Sequence, residues 1–353
     1  MAERDNGATS AAKATTLRGI RRWSTLPGIR RWSAAGSAKA RSPWTRGRVL
    51  AALAVLSAVL LAFHRLVPNS PGRLGSLWES FLPWSGLVIV ALLGLALLRR
   101  SALALVALLL PVAAWTYLFG GLLLPGVHPG AKPGAHDLVA VQHNASDENT
   151  DPADTARALA DAGPDLIGLE ELIPPALAVY EETLAPRYPH HTVVGTVGLW
   201  SKHPLTDVQE LDIKPAGITE PWNRGLRAVV HTPHREVAVY VAHLPSIRVR
   251  ATGLASSWRD ESAGRLGKAI AAEKLRTVIL LGDLNSTVDD RGLAPLTSQL
   301  NVPARGFAFS FPAAFPLARI DQIMARSAAV GPLRTLPRTG SDHLPVIARI
   351  TLG

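Results

Sequence analysis

Three apolar runs crowd the first third of this chain: Val49 to about Phe63, Phe81 to Leu98, and Ala102 to Leu124. A bilayer core about 30 Å thick takes roughly 20 apolar residues to cross as a helix. The third run meets that length, whereas the first is short and relies on His64 and Arg65 reaching back to the interface. Arg41, Arg46 and Arg48 precede the first run, and Arg99-Arg100 separates the second from the third. The excess of cations on cytoplasmic flanks puts both groups inside the cell. The expectation is a cytoplasmic tail over 1–47, three transmembrane helices over 48–124, and a carboxy-terminal domain outside the cell.

Charge follows the same division. The whole chain carries a formal +10, but residues 1–48 hold eleven Lys/Arg against two acidic residues, while residues 125–353 hold 22 against 24. The basic excess thus sits in the tail and the membrane loops, so the globular part has no bulk attraction for a polyphosphate chain. No cysteine is present, which excludes disulfides, thiolate metal sites and a cysteine nucleophile. In the tail, Thr16–Ser24 is nearly repeated at Thr25–Ser33 around an Arg-Arg-Trp unit, which suits either an anionic membrane surface or a solvated tail. Residues 125–136, rich in Pro and Gly, read as a linker.

From Asp137 the pattern changes to short apolar strands alternating with amphipathic helices, the signature of layered α/β architecture. The sharpest strand is Val278-Ile279-Leu280-Leu281-Gly282-Asp283-Leu284-Asn285. Four apolar residues read as a strand buried on both faces. Gly282 then loosens the backbone, and period-2 alternation places Asp283 and Asn285 on one side. Other strands show the same habit. Leu138–Asn144 delivers Asn144, Asp165–Glu171 delivers Glu171, and Val237–Ala242 ends at His243. Ala318–Met324 carries Asp321, and Asp342-His343 lies in the loop before the last strand. Val193–Ser201 and Arg227–His231 are further strands, 154–162 and 260–273 are helical, and Pro174-Pro175 opens a helix that runs to about Leu184. Polar residues recurring at strand ends suggest one site. Carboxylate and amide oxygens without thiolates favour Mg²⁺, Mn²⁺ or Ca²⁺ over zinc. Two histidines among the acids, with no Gly-x-Ser-x-Gly motif, favour hydrolysis by activated water.

These pieces, in this order, resemble the endonuclease/exonuclease/phosphatase superfamily. The motifs are Gln142-His143-Asn144, Pro164–Glu171, Gly198–Leu205, Val241–Leu244, Gly282–Asn285, Arg319–Ile323 and Ser341–Pro345. The resemblance implies a four-layer α/β/β/α sandwich over 137–353 and a metal-dependent phosphoester hydrolase using Mg²⁺ or Mn²⁺. It implies metal binding by Glu171, with Asn144 beside it and Asp342 binding or orienting the ion; Glu170 could replace Glu171 by slippage of the motif. It implies that Asp283 orients water or shares the cation, and that Asn285 contacts a phosphoryl oxygen. His343, polarised by Asp321, would act as base or stabilise the transition state, with His243 at the leaving group. Arg224, Arg227, Arg248, Arg250, Arg259 and Arg265 are phosphate-gripping candidates by charge alone. The membrane-plus-hydrolase layout is similar to that of the VanJ-type membrane proteins associated with teicoplanin resistance, which implies a lipid-linked phosphate or pyrophosphate substrate in contact with the bilayer. A nuclease, and a catalytically silent binding domain, are the alternatives.

Overall fold

Alternation of side chains along the central strands divides the apolar residues between two cores, and that division builds the layers. In the computed structural model, which describes residues 47–123, 137–303 and 305–353, Ile279 and Leu281 of the Val278–Asp283 strand face one core. Val278 and Leu280 face another. Both sets are fully buried, each side chain contributing about 1.5–3 kcal/mol by leaving water. The expected two-sided burial of this strand is therefore observed.

In chain order the elements are α1 (Arg48–Ala62), α2 (Leu74–Ser80), α3 (Ser85–Leu98), α4 (Ala102–Leu123), β1 (Asp137–Asn144), α5 (Pro152–Asp161), β2 (Leu166–Glu170) and α6 (Ala176–Leu184). They continue with β3 (His190–Val194), β4 (Val197–Ser201), β5 (Leu205–Glu210), β6 (Gly225–His231), β7 (Glu236–Ala242), β8 (Arg248–Arg250), β9 (Gly253–Ala255) and α7 (Ser257–Ala272). The last are β10 (Val278–Asp283), α8 (Ala294–Thr297), β11 (Asp321–Arg326), β12 (Ala328–Val330), β13 (Arg334–Thr335) and β14 (Val346–Leu352). One sheet runs β12-β14-β1-β2-β4-β3 with β13 on β14, and the other runs β11-β10-β7-β6-β5. Their inner faces meet through Leu166, Leu199, Val239, Leu281 and Ile323. Tyr180 and Leu159 pack α5 and α6 onto the first sheet, and Leu266, Ile270 and Leu296 pack α7 and α8 onto the second. This is the expected four-layer α/β/β/α sandwich. Local signals set the ends of α5: Asp151 caps it by accepting the Asp154 N–H at 2.9 Å, and Gly163 follows it at φ 73°.

Two local expectations change. The run Val193–Ser201 is a hairpin, β3 and β4 turning at Gly195, whose φ of 58° suits glycine. Gly282 is needed for close approach rather than looseness, since a Cβ there would lie 2.2 Å from the Ala242 carbonyl oxygen.

The amino-terminal helices α1, α3 and α4 pack through small and aliphatic residues such as Ala54, Leu92, Ala96, Ala104 and Leu108. Their outer faces, with Leu56, Val90, Leu109 and Val112, are exposed. Among the described residues, only α4 is by itself long and apolar enough to cross a membrane. The second expected span qualifies only as a pair of helical pieces bent by 67° near Phe81, and α1 has fifteen residues. At 1.5 Å per residue, α1 falls short of a bilayer core about 30 Å thick. The expected tail and linker lie outside the described residues.

The stretch between α1 and α3 forms a seat for the sandwich. Glu79, fully buried, accepts from Arg291 Nε at 2.8 Å, Nη2 at 2.9 Å and the backbone N–H at 2.9 Å. Arg73 pairs with Asp260, the Leu254 N–H donates to the Gly72 carbonyl at 2.9 Å, and Trp84 Nε1 donates to the Leu317 carbonyl at 2.7 Å.

Candidate active site

Strand ends carry the functional side chains to one edge of the sandwich. In β1 the alternation sends Gln142 and Asn144 one way and His143 the other, where His143 Nε2 meets Thr339 Oγ1 at 3.1 Å. Beside it β2 ends at Glu170, the register partner of Asn144. Glu171 then takes φ 57°, which turns its carboxylate toward Asn144 Nδ2 at 3.1 Å and the Asp147 N–H at 3.2 Å. Asp283 and Asp321 are register partners across β10 and β11. Asn285, at φ 49°, reaches Asp283 by an Asx turn, its N–H donating to Asp283 Oδ1 at 2.9 Å. The expected strand alternation is thus replaced, because β10 ends at Asp283. Left-handed conformations at two non-glycine residues cost about 1–3 kcal/mol each and collect at functional sites.

Asn144 Nδ2 also donates to Asp283 Oδ2 at 3.1 Å, while its Oδ1 accepts the Ser146 N–H at 3.0 Å. The amide therefore clamps the Glu171 and Asp283 carboxylates side by side. Asn285 Nδ2 donates to the Leu244 carbonyl at 2.9 Å and to Asp283 Oδ2 at 3.3 Å, bracing the same carboxylate. His243 Nε2 lies 3.7 Å from both Glu171 Oε1 and Asp283 Oδ2, is buried, and has no hydrogen-bond partner. Arg224 Nη1 approaches His243 Nδ1 at 3.3 Å, which leaves the ring proton on Nε2, aimed between the two carboxylates. Burial, reinforced by Arg224, lowers the His243 pKa to about 3, so the ring is neutral.

On the other side His343 Nδ1 meets Asp321 Oδ2 at 2.8 Å, and its Nε2 lies 3.9 Å from Asp283 Oδ2. Burial alone would lower the His343 pKa, but Asp321 and Asp283 outweigh it and push it up to about 10. Asp321 opposes its own burial through His343 and titrates below the usual carboxylate range, whereas burial holds Asp283 above it. Two neighbouring carboxylates are thus driven apart, as expected where one stays ionised as a partner and the other faces the chemistry. A raised histidine pKa stabilises the fold fully below the ordinary value of 6.5, and the contribution is lost as pH rises toward 10. In metal-free protein, the gap in melting temperature between wild type and His343→Gln is expected to be largest near pH 6 and to shrink by pH 10. A gap constant with pH would contradict the His343–Asp321 pairing.

Seven of the expected residues therefore converge: Asn144, Glu171, His243, Asp283, Asn285, Asp321 and His343. Asp342 differs. Its residue is exposed and its carbonyl accepts the Ala313 N–H at 2.6 Å, and its carboxylate acts on the cluster only through charge, helping to raise His343. Glu170 is not interchangeable with Glu171. It is fully buried, and burial raises its pKa well above the usual range. Gln142, to which sequence reasoning gave no role, donates to Glu170 Oε2 at 2.7 Å and Asp321 Oδ1 at 3.3 Å, forming the floor under the dyad. Its position two residues before Asn144 on the same strand face was the available signal. Phe311 was also missed; its ring lies 4.8 Å from that of His343.

Asp283, Asp321 and His343 each offer one ligand atom within 4.8 Å of the others and could hold a metal ion. In that trio, however, Asp321 Oδ2 and His343 Nδ1 are already engaged with each other. The Glu171 and Asp283 carboxylates, held side by side by Asn144 and faced by the unpartnered His243 Nε2, form a second pair of oxygen donors, with Glu171 open to solvent. This hard-oxygen set fits Mg²⁺ or Mn²⁺.

A two-sheet sandwich that gathers carboxylates, amides and a histidine–aspartate dyad at one edge defines a phosphoester hydrolase. The chain belongs to the Endonuclease/Exonuclease/phosphatase family, whose model matches residues 138–343, more than half of the chain. Among solved structures it is similar to the beta toxin of Staphylococcus aureus, with TM-score 0.51 and 16% identity over 60% of this chain and 99% of that one. A beta toxin mutant with bound magnesium ions gives TM-score 0.51 and 15% identity over 60% and 99%. A humanized D. rerio TDP2 gives TM-score 0.50 and 20% identity over 61% and 98%. At these identities the likeness is one of fold. No curated protein matches the chain significantly.

Proposed function

We propose that the chain is a membrane-anchored, divalent-metal-dependent phosphoesterase that hydrolyses a phosphate or pyrophosphate bond of a lipid. The observation that carries this reading is an apolar cleft of about 390 Å³ lined by Trp84, Val90, Val112, Trp115, Phe307 and Phe309. Its walls come from the membrane-type helices on one side and from the sandwich on the other. Trp84 stacks on Phe309 with ring centroids 5.5 Å apart, and the chain passes from Phe309 through Ser310 to Phe311, which packs on His343. A hydrocarbon chain in the cleft would have its head group near the reacting residues.

A bound divalent cation would supply charge neutralisation and Lewis acidity at a phosphoryl oxygen, held by Glu171 and Asp283. Asp283 orients the attacking water. His343, doubly protonated through Asp321, donates from Nε2 to the oxygens that gain charge, and neutral His243 donates from its Nε2 on the leaving-group side. Asn144 and Asn285 keep the carboxylates in place. With α4 crossing the bilayer, Arg99-Arg100 at its start lies on one side, and the seat at residues 64–84 and the sandwich, which its far end meets, lie on the other. Cation placement makes the sandwich side extracytoplasmic. The resemblance of the sequence layout to VanJ-type proteins supports extending the reading to a lipid-linked cell-envelope intermediate and a contribution to teicoplanin resistance.

The test is a substrate panel on full-length protein in nanodiscs with Mg²⁺. Phosphate release from an isoprenyl diphosphate or a phospholipid, without cleavage of plasmid DNA, supports the proposal. Cleavage of DNA alone would replace it with a nuclease, and activity on neither, with metal bound, with a silent domain.

A further inference from the structure

The six arginines singled out by charge separate once their partners are seen. Arg227 pairs with Glu273 and Asp207, Arg259 with Asp290 and Asp260, and Arg265 with Glu261 and Asp212. Among the described residues no carboxylate pairs with Arg248 or Arg250, which are exposed on the β8 strand. Together with Arg224 they line a single cavity of about 660 Å³, walled also by Trp222 and Trp258. The Arg224 guanidinium lies over the Trp222 ring at 5.2 Å, and its Nη1 is 3.3 Å from His243 Nδ1. The cavity therefore begins at the candidate active site. Its far wall is the β8–β9 hairpin, and β9 is bonded to Gly72 in the seat that follows α1. Three guanidinium groups around one cavity repel one another, and an anion between them relieves that repulsion. A guanidinium backed by an aromatic face is a common way to hold a phosphate.

We infer that this cavity is an anion subsite for a second phosphate of the substrate head group, next to the one that reacts. The inference rests on the phosphoesterase reading above and narrows it to lipids with more than one phosphate. The scissile phosphorus lies among Glu171, Asp283 and His343, and its phosphate neighbour extends past His243 and Arg224 toward Arg248 and Arg250. The Trp258 ring, half exposed, covers the head-group portion beyond.

The decisive comparison uses the Arg248→Ala/Arg250→Ala double variant in nanodiscs of zwitterionic lipid, with an isoprenyl diphosphate and the monophosphate on the same chain. For the diphosphate, kcat/KM is expected to fall at least tenfold, through KM; for the monophosphate it should change less than twofold. The double Arg→Lys variant should recover part of the loss. Equal losses on both substrates, or no loss on either, would overturn the subsite, as would a loss seen only when anionic lipid is added to the disc. A second measurement needs no turnover: binding of methylenebisphosphonate to the metal-free full-length chain. Affinity should drop at least fivefold in the double variant and stay within twofold of wild type in Arg265→Ala, whose guanidinium pairs with Glu261 and Asp212 away from the cavity. Equal affinity in wild type and double variant would overturn the subsite whatever the site hydrolyses, while a drop without lipid hydrolysis would leave the subsite standing and remove the lipid reading.

Discussion

His343→Ala is expected to lower turnover by about 10³-fold or more, with membrane insertion close to wild type and a melting temperature lowered as for His343→Gln. A preorganised donor aimed at developing charge contributes about 10²–10³ in rate, and this histidine also keeps Asp321 ionised beneath it. Its Nδ1 is committed to Asp321 at 2.8 Å, so only Nε2 is free for the substrate. With a pKa pushed up to about 10, the ring is charged at neutral pH, which in the proposed mechanism suits a stabiliser of the transition state rather than a base. Asp321→Asn should imitate the loss, because the imidazole then loses both its charge and its fixed tautomer. The measurement is single-substrate kinetics on both variants. If His343→Ala retained more than a tenth of wild-type kcat, the dyad would have no part in the chemistry.

Glu79→Ala is expected to destabilise the protein by about 3–5 kcal/mol, the usual result of removing one partner of a buried ion pair. Glu79 has no exposure, and Arg291 spends three donors on it. Arg291 also sits beside Asp290, which burial would neutralise but for Arg259, the Gly292 N–H and Ser286. Loss of Glu79 therefore leaves a guanidinium stranded where the seat meets the sandwich. Replacing both, as Glu79→Leu with Arg291→Met, should restore most of the stability, since an apolar pair of similar volume commonly substitutes for a buried ion pair. Thermal unfolding in detergent separates the cases. A shift equivalent to less than about 1 kcal/mol in Glu79→Ala would show that the contact is peripheral.

This contact also bears on how the sandwich is held against the amino-terminal helices. A Pro/Gly linker alone suggests a domain tethered loosely within reach of the bilayer. Instead, Arg73, Glu79 and Trp84 each bond across to the sandwich, which fixes the orientation of the site relative to the helices. None of these partners could be read from the sequence, because each pair is separated by more than 180 residues.

The candidate site residues were legible for a local reason. A strand buried on both faces has few positions for polar groups except its end, so acids and amides after apolar runs marked Asn144, Glu171, Asp283 and Asp321. What the pattern hid was determined by distant neighbours. Gln142 and Glu170 look like ordinary strand residues until Asp321 is placed beside them. Arg259 looks as available as Arg248 until Asp290 is seen to hold it. The hairpin at Gly195 passed for one strand because the apolar residues continue on both sides of it.

The central claim is that Glu171 and Asp283 hold a divalent cation at a phosphoester-hydrolysing site. Its most direct test is a Mg²⁺ titration of phosphate release from a lipid substrate by full-length protein in nanodiscs, with Glu171→Gln and Asp283→Asn alongside. Chelation is expected to abolish release and Mg²⁺ or Mn²⁺ to restore it. Glu171→Gln should need at least tenfold more metal, and Asp283→Asn should stay below about a thousandth of wild-type turnover at any metal concentration. Release that survives chelation, or a Glu171→Gln titration superimposable on wild type, would contradict the claim.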